Sequence, residues 1–155
     1  MKKAAGILPI CTETGRALIC LRSAHVHTPN TWGTWGGISN GKEGFKITAL
    51  REFREETRYT GSIKLFPAYL NKTSDIYYQN FVGLVKEEFT PVLNWEAEDY
   101  KWIEIYDFFS LTPLHPGLEA LLLNSTTLIK NYMEQPSMAA SSLVEQILYE
   151  CLLNK

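Results

Sequence analysis

Residues 36–61 read GGISNGKEGFKITALREFREETRYTG, and this stretch decides how the chain is organised. From Phe45 to about Thr57, good helix formers such as Ala49, Leu50, Arg51 and Glu52 recur at helical spacing, so a helix is expected there. Each helical residue advances about 100°, which places Glu52, Glu55 and Glu56 within roughly a 100° sector. Ile47, Leu50 and Phe53 fall on the opposite side and are expected to face the core. Carboxylates at i, i+3 and i+4 repel one another, at about a few tenths of a kcal/mol per pair. A divalent cation reverses that sign. Carboxylate oxygens suit hard cations, above all Mg2+, which shares its ligands with substrate phosphates. Upstream, Gly36-Gly37 lets the backbone approach the same ion or a phosphate closely. Glu43 ends the glycine loop, and Arg51, eight residues later, is placed to reach back and hold it. A plainer reading of the carboxylates alone is a solvated acidic helix face beside a glycine turn.

Outward from this stretch, Ala4 to Cys11 and Arg16 to Arg22 are β-rich runs joined by Thr-Glu-Thr-Gly, a hairpin pattern. Ser23 to Gly44 is rich in Gly, Asn, Ser, Thr and His, and a connection of this length inside a compact domain is expected to be functional. Strand character returns at Ser62 to Asn71, Ile76 to Lys86 and Tyr100 to Tyr106, with Trp95, Glu96, Glu98 and Asp99 on the loop before the last. Pro113 and Pro116 precede a short helix, Gly117 to Leu123. After a polar break, Ser142-Leu143-Val144-Glu145 reads as a capping box opening a final amphipathic helix to about Leu153. That helix is expected to pack on the core, with docking of a second copy as a homodimer the alternative. The element order gives a mixed α/β fold with a largely local sheet, in a single domain spanning residues 1–155.

Fifteen Lys and Arg against 17 Asp and Glu leave no broad cationic surface for a nucleic-acid duplex, while a small anionic ligand stays open to a local cluster of donors. Cys11, Cys20 and Cys151 lack metal-ligand spacing and read as idle thiols of a reducing cytosol. The apolar run after Met1-Lys2-Lys3 is broken by Pro9 and reads as a strand rather than a secretion signal. No run approaches the ~18 apolar residues of a membrane span, so a cytoplasmic protein without a membrane partner is expected.

The spacing of the opening stretch carries a resemblance. Gly37, five residues, Glu43, seven residues, then Arg51-Glu52-Phe53-Arg54-Glu55-Glu56-Thr57-Arg58-Tyr59 is similar to the signature box of the Nudix hydrolases, Gly-x5-Glu-x7-Arg-Glu-U-x-Glu-Glu-x-Gly-U, where U is a bulky apolar residue. One defined position departs: Arg58 replaces the last Gly. Trp32-Gly33-Thr34-Trp35 before the box, Trp102 after the acidic loop, and Leu114-His115-Pro116-Gly117-Leu118 also resemble family landmarks. The resemblance covers about residues 4–123, leaving 124–155 as an extension.

The resemblance implies an α/β/α sandwich around a mixed sheet, here with an additional C-terminal helix. It implies hydrolysis of a diphosphate linkage in a nucleotide-type small molecule, a nucleoside triphosphate or nucleotide sugar among the candidates, with Mg2+ or Mn2+. Carried over by position, Glu52, Glu55 and Glu56 would surround the metal with a backbone carbonyl of Gly36 or Gly37, and Arg51 would orient the box. The general base in such proteins lies on the box helix or on a late loop. Here the late-loop candidate is Glu98, with Glu96 and Asp99 its rivals, and Arg22 is a candidate for a substrate phosphate. His25 and His27 read as surface residues and His115 as a helix-entry residue. Tyr77 and Tyr78 should face opposite sides of their strand. Arg58 is expected either to take a left-handed conformation at the helix end or to let the helix run on towards Gly61. Trp35, where many members have Pro, would reshape the pocket floor. The alternative is a silent nucleotide-binding or regulatory module, whose mark would be a missing box carboxylate.

Overall fold

The computed structural model describes residues 1–134, so the expected helix at Ser142–Leu153 and Cys151 lie outside the described residues. Strands β1 (Lys2–Cys11) and β2 (Ala17–Arg22) form the expected hairpin, closed by Gly15 at φ 71°, whose N–H donates to the Cys11 carbonyl at 2.8 Å. They pair only at the closed end, Ile10 opposite Ala17. Two short strands fill the gap beyond it: β3 (Trp32–Gly33) lies on β2, and β4 (Trp35–Ile38) on β1. The long connection is therefore partly sheet.

The antiparallel strands β5 (Lys64–Lys72) and β6 (Ile76–Val85) lie on the other edge of β1, with β6 parallel to it from Lys2–Ile76 to Cys11–Val85. This remote pairing corrects the expectation of a largely local sheet. Ala4 to Cys11 are all buried, and a strand apolar on both faces needs a central position that hairpin contacts alone do not supply. Strand β7 (Ala97–Ile103) lies antiparallel along β2. It ends before Tyr106, because Glu104 and Asp107 open a 3-10 helix at Ile105–Phe109, Asp107 accepting the Glu104 N–H at 2.8 Å.

Successive sheet residues alternate between two cores. Ala5, Ile7, Leu18 and Trp35 pack with Ala49 and Phe53 of α1 (Phe45–Thr57). Leu8, Ile10, Ile19 and Val82 pack with Leu118 and Leu121 of α2 (Pro116–Asn124) and Ile129 and Tyr132 of α3 (Thr126–Glu134). The result is a mixed sheet between helices. Helix α3 occupies the stretch read as a polar break; its stripe of Ile129, Tyr132 and Met133 is too short to stand out among Thr126, Thr127, Lys130 and Asn131. Among the described residues no helix is long and apolar enough to cross a membrane.

Helix α1 sits rotated from its expected orientation. Its buried residues are Thr48, Ala49, Phe53, Glu56 and Thr57, while Ile47 is exposed and Leu50 half-buried. Ala49, Phe53 and Glu56 fall within about 60° of one another on the helical wheel, roughly 150° from Ile47. The helix turns a carboxylate inward and an isoleucine outward. Such an arrangement runs against apolar burial and marks a place where function decides the packing.

Candidate active site

Arg51 is the hub of the box. Its Nε and Nη2 donate to the two oxygens of Glu43, each at 3.0 Å, a bidentate pair. Nη2 also reaches the Ile38 carbonyl at 3.0 Å, and Nη1 donates to Glu52 at 2.8 Å and Glu55 at 3.3 Å. One guanidinium thus ties the glycine loop to two carboxylates of the helix. Glu43 also accepts from the Asn40 N–H and the Thr48 hydroxyl, at 3.0 and 3.1 Å. The Arg51 guanidinium first, and then the Asn40 amide, pull its carboxyl down to about 2.

Glu52 and Glu56 stand in the opposite environment. Glu52 lies flat against Gly37, where an added Cβ would fall 2.5–2.7 Å from its carboxylate atoms, so only glycine leaves it room. Burial is the main cause that raises the Glu52 pKa. Glu56 is 6% exposed, and its Oε2 has no hydrogen-bond partner, although the Gly36 backbone hydrogen-bonds to the carboxylate. Burial, then the charges of Glu96 and Glu52, push its pKa well above the usual range. A buried, half-satisfied carboxyl beside two like charges is costly, and a cation placed there would offset that cost.

Among the described residues no three carboxylate, imidazole or thiol groups converge as a ready-made cage. A hard cation needs only one or two carboxylates from the protein, the rest of its shell coming from water and substrate phosphates. The orphaned Glu56 oxygen and the all-oxygen donor set therefore fit Mg2+ or Mn2+. Glu55 is more exposed, at the rim, held by Arg51.

The late loop divides its candidates. Glu96 raises the pKa of both Glu52 and Glu56 by its charge, which brings it to the box. Asn94 fixes it there, accepting the Glu96 N–H at 2.9 Å and donating to its Oε1 at 3.4 Å. Glu98 is exposed at a bulge, where Leu21 pairs with Asp99 and Arg22 with Ala97, skipping it. Asp99 is exposed as well. A shallow groove along β7, lined by Arg16, Tyr100, Trp102 and Asp107, holds none of the box residues.

Arg22, at the end of β2, lowers the pKa of Glu56 by its charge and so belongs to the same neighbourhood. Trp35 is fully buried in the core beside Phe53, its Nε1 donating to the Leu18 carbonyl at 3.1 Å. Tyr78 lies over the backbone of Gly6 and Gly36, where any Cβ would strike its hydroxyl. Tyr77, on the other side, carries the Lys72 ammonium 5.5 Å from its ring centroid.

Fold and site together define a helix–sheet–helix protein in which α1 carries one buried carboxylate, Glu56, and one half-buried, Glu52. The NUDIX domain family profile matches residues 1–124, and the chain belongs to the Nudix hydrolase family. No curated protein matches it in sequence. Solved structures share the fold at low identity. An Ap4A hydrolase from C. elegans is 18% identical, with a TM-score of 0.66 over 83% of this chain and 98% of that one. A MutT protein from Methanosarcina mazei Go1 is 19% identical, with a TM-score of 0.66 over 81% and 93%. The E. coli dihydroneopterin triphosphate pyrophosphohydrolase is 17% identical, with a TM-score of 0.64 over 81% and 95%.

Proposed function

We propose that the protein hydrolyses the diphosphate linkage of a nucleotide-type small molecule and depends on Mg2+ or Mn2+. The observation that carries this reading is the unpartnered, buried Oε2 of Glu56 beside Glu52 and Glu96. Glu52, Glu56 and the Gly37 carbonyl would hold the ion, with Glu55 at the rim. When bound, it supplies positive charge against the substrate phosphates and polarises the P–O bond under attack. Arg51 keeps Glu52 in place, and Arg22 faces the phosphate chain. Glu96, rather than Glu98, is the carboxylate set to take a proton from the attacking water. Its fixing by Asn94 gives it a constant position, which proton transfer requires.

The test is turnover of a substrate panel (nucleoside triphosphates, nucleotide sugars, dinucleoside polyphosphates and cofactors) against a titration of Mg2+. Cleavage that needs the ion and vanishes in Glu56→Gln supports the reading. Tight binding without turnover across the panel would replace it with a silent binding module.

A further inference from the structure

Thr48 and Thr57 sit on the same helix and spend their hydroxyls differently. The Thr57 hydroxyl donates to the Phe53 carbonyl at 2.6 Å, four residues back, the usual habit of a helical threonine. Thr48 is fully buried, and the carbonyl four residues before it, that of Gly44, accepts the Thr48 N–H at 3.0 Å. Its hydroxyl leaves the helix instead and lies 2.8 Å from the Ser39 Oγ and 3.1 Å from the Glu43 Oε2. One hydroxyl proton cannot serve both oxygens. Glu43 is paired through both of its oxygens with the Arg51 guanidinium, so it is ionised and only accepts. Thr48 therefore donates to Glu43, and Ser39 donates to Thr48.

This hydroxyl chain crosses from the glycine loop to the helix. The Ser39 N–H donates to the Lys3 carbonyl at 2.9 Å, which ties the same residue to β1. The carbonyl before it, of Ile38, accepts from Arg51 at 3.0 Å, and the N–H after it, of Asn40, donates to Glu43 at 3.0 Å. Each of the three residues that follow Gly37 is thus held, and Ser39 alone reaches both the sheet and the helix. Gly37 itself lies flat against the Glu52 carboxylate on α1. A site that shares a cation between a loop backbone and a helix carboxylate works only if the two keep their spacing to within about 0.5 Å. Thr48 and Ser39 span that gap directly.

We propose that the Ser39–Thr48 hydroxyl pair is a positioning strap, which sets the spacing between residues 37–40 and α1 and thereby how tightly the site takes up Mg2+. The proposal rests on the carboxylate cluster being a cation site. Neither hydroxyl touches the ion; both act through Glu43 and the loop backbone. The test is a double-substitution cycle in the full chain. It uses Thr48→Val, which keeps the shape and loses the hydroxyl, Ser39→Ala, the two together, and Thr48→Ser, which restores the hydroxyl. Calorimetric titration with Mg2+ alone is the first readout. Thr48→Val should weaken the ion about tenfold and Ser39→Ala about threefold. The double variant should lose no more than Thr48→Val alone, because both remove one chain, and Thr48→Ser should stay within about twofold of the wild type. Additive losses, or a Thr48→Val variant that melts earlier yet binds Mg2+ as before, would overturn the strap.

Amide hydrogen exchange in the ion-free protein reads the strap without any metal. The Asn40 N–H, whose acceptor is Glu43, should exchange about tenfold faster in Thr48→Val, and Thr48→Ser should restore its protection. Unchanged exchange at Asn40 overturns the strap. A wild type that takes up no Mg2+ while exchange at Asn40 follows this pattern overturns the cation site and leaves the strap standing.

Discussion

Glu43 and Glu56 belong to one motif, thirteen residues apart, and live in opposite surroundings. Glu43 is partly exposed and accepts four hydrogen bonds, two from one guanidinium, and its pKa falls to about 2. Glu56 is buried, has an orphaned oxygen and faces like charges, and its pKa climbs. The first carboxylate is complete and acts as a brace for the loop. The second is left with one oxygen unpartnered, which in the proposed reading a divalent ion would take up. Identical side chains thus take different duties because Arg51 is spent on Glu43, Glu52 and Glu55 and none of it reaches Glu56.

The largest effect should come from removing the incomplete group. Glu56→Gln should lower kcat about a thousandfold, the loss of several kcal/mol of charge stabilisation, while leaving the ion-free protein at least as stable as the wild type. Steady-state kinetics and thermal melting check the two halves. A variant that keeps full turnover would break the contrast between the two glutamates.

Next in size is the pair on the late loop. Glu96→Gln should cost about a hundredfold in kcat, whereas Glu98→Gln should stay within about twofold. The reverse order would mean that the loop closes differently when substrate is present. This is also where the sequence was least legible. Residues two apart on a strand ordinarily share a face, and nothing in Trp95 to Tyr100 announces the bulge that skips Glu98. The helix at Phe45–Thr57 could be read because its formers and periodicity are local, as could the reach of Arg51 to Glu43. The outward turn of Ile47 could not, because Ala49, Phe53 and Glu56 share the buried face and a count of apolar residues does not include a carboxylate. The parallel seat of β6 on β1 depends on contacts 74 residues apart, which no window along the chain contains.

Removing or adding the ion should move stability less than Glu56→Gln moves turnover. At about a hundred times its dissociation constant, Mg2+ should add about 2.7 kcal/mol, or roughly 5–10 °C in melting temperature. The two carboxylates predict opposite pH limbs. The folded pKa of Glu56 is raised, so without the ion its share of stability is full below the unfolded value near ~4.3 and is lost as pH rises through the folded value. The folded pKa of Glu43 is depressed, so its share is present above ~4.3 and lost as pH falls towards about 2. Melting curves against pH should therefore decline on both sides of mild acidity. Mg2+ should remove the upper decline, Glu56→Gln should reduce it to the share left by Glu52, and both should leave the lower one. A lower limb that also responds to Mg2+ would show that the two environments are not separate.

The smallest effect tests the end of the same helix. The chain leaves α1 at Thr57, with Arg58 left-handed at φ 59°, ψ 18° and its N–H on the Arg54 carbonyl at 2.9 Å. The helix does not run on to Gly61. The cap is a backbone bond that any residue can make, and the Thr57 hydroxyl supports it by accepting the Tyr59 N–H at 3.1 Å. Arginine therefore contributes nothing to the turn that glycine could not, and it pays the left-handed penalty of about 1 kcal/mol. Arg58→Gly should recover part of that, since glycine also gains entropy in the unfolded chain, giving about 0.5 kcal/mol by chemical denaturation. Turnover should not change, because Glu52, Glu55 and Glu56 all lie before the turn. A destabilised Arg58→Gly would show that the guanidinium makes a contact worth more than the strain it brings.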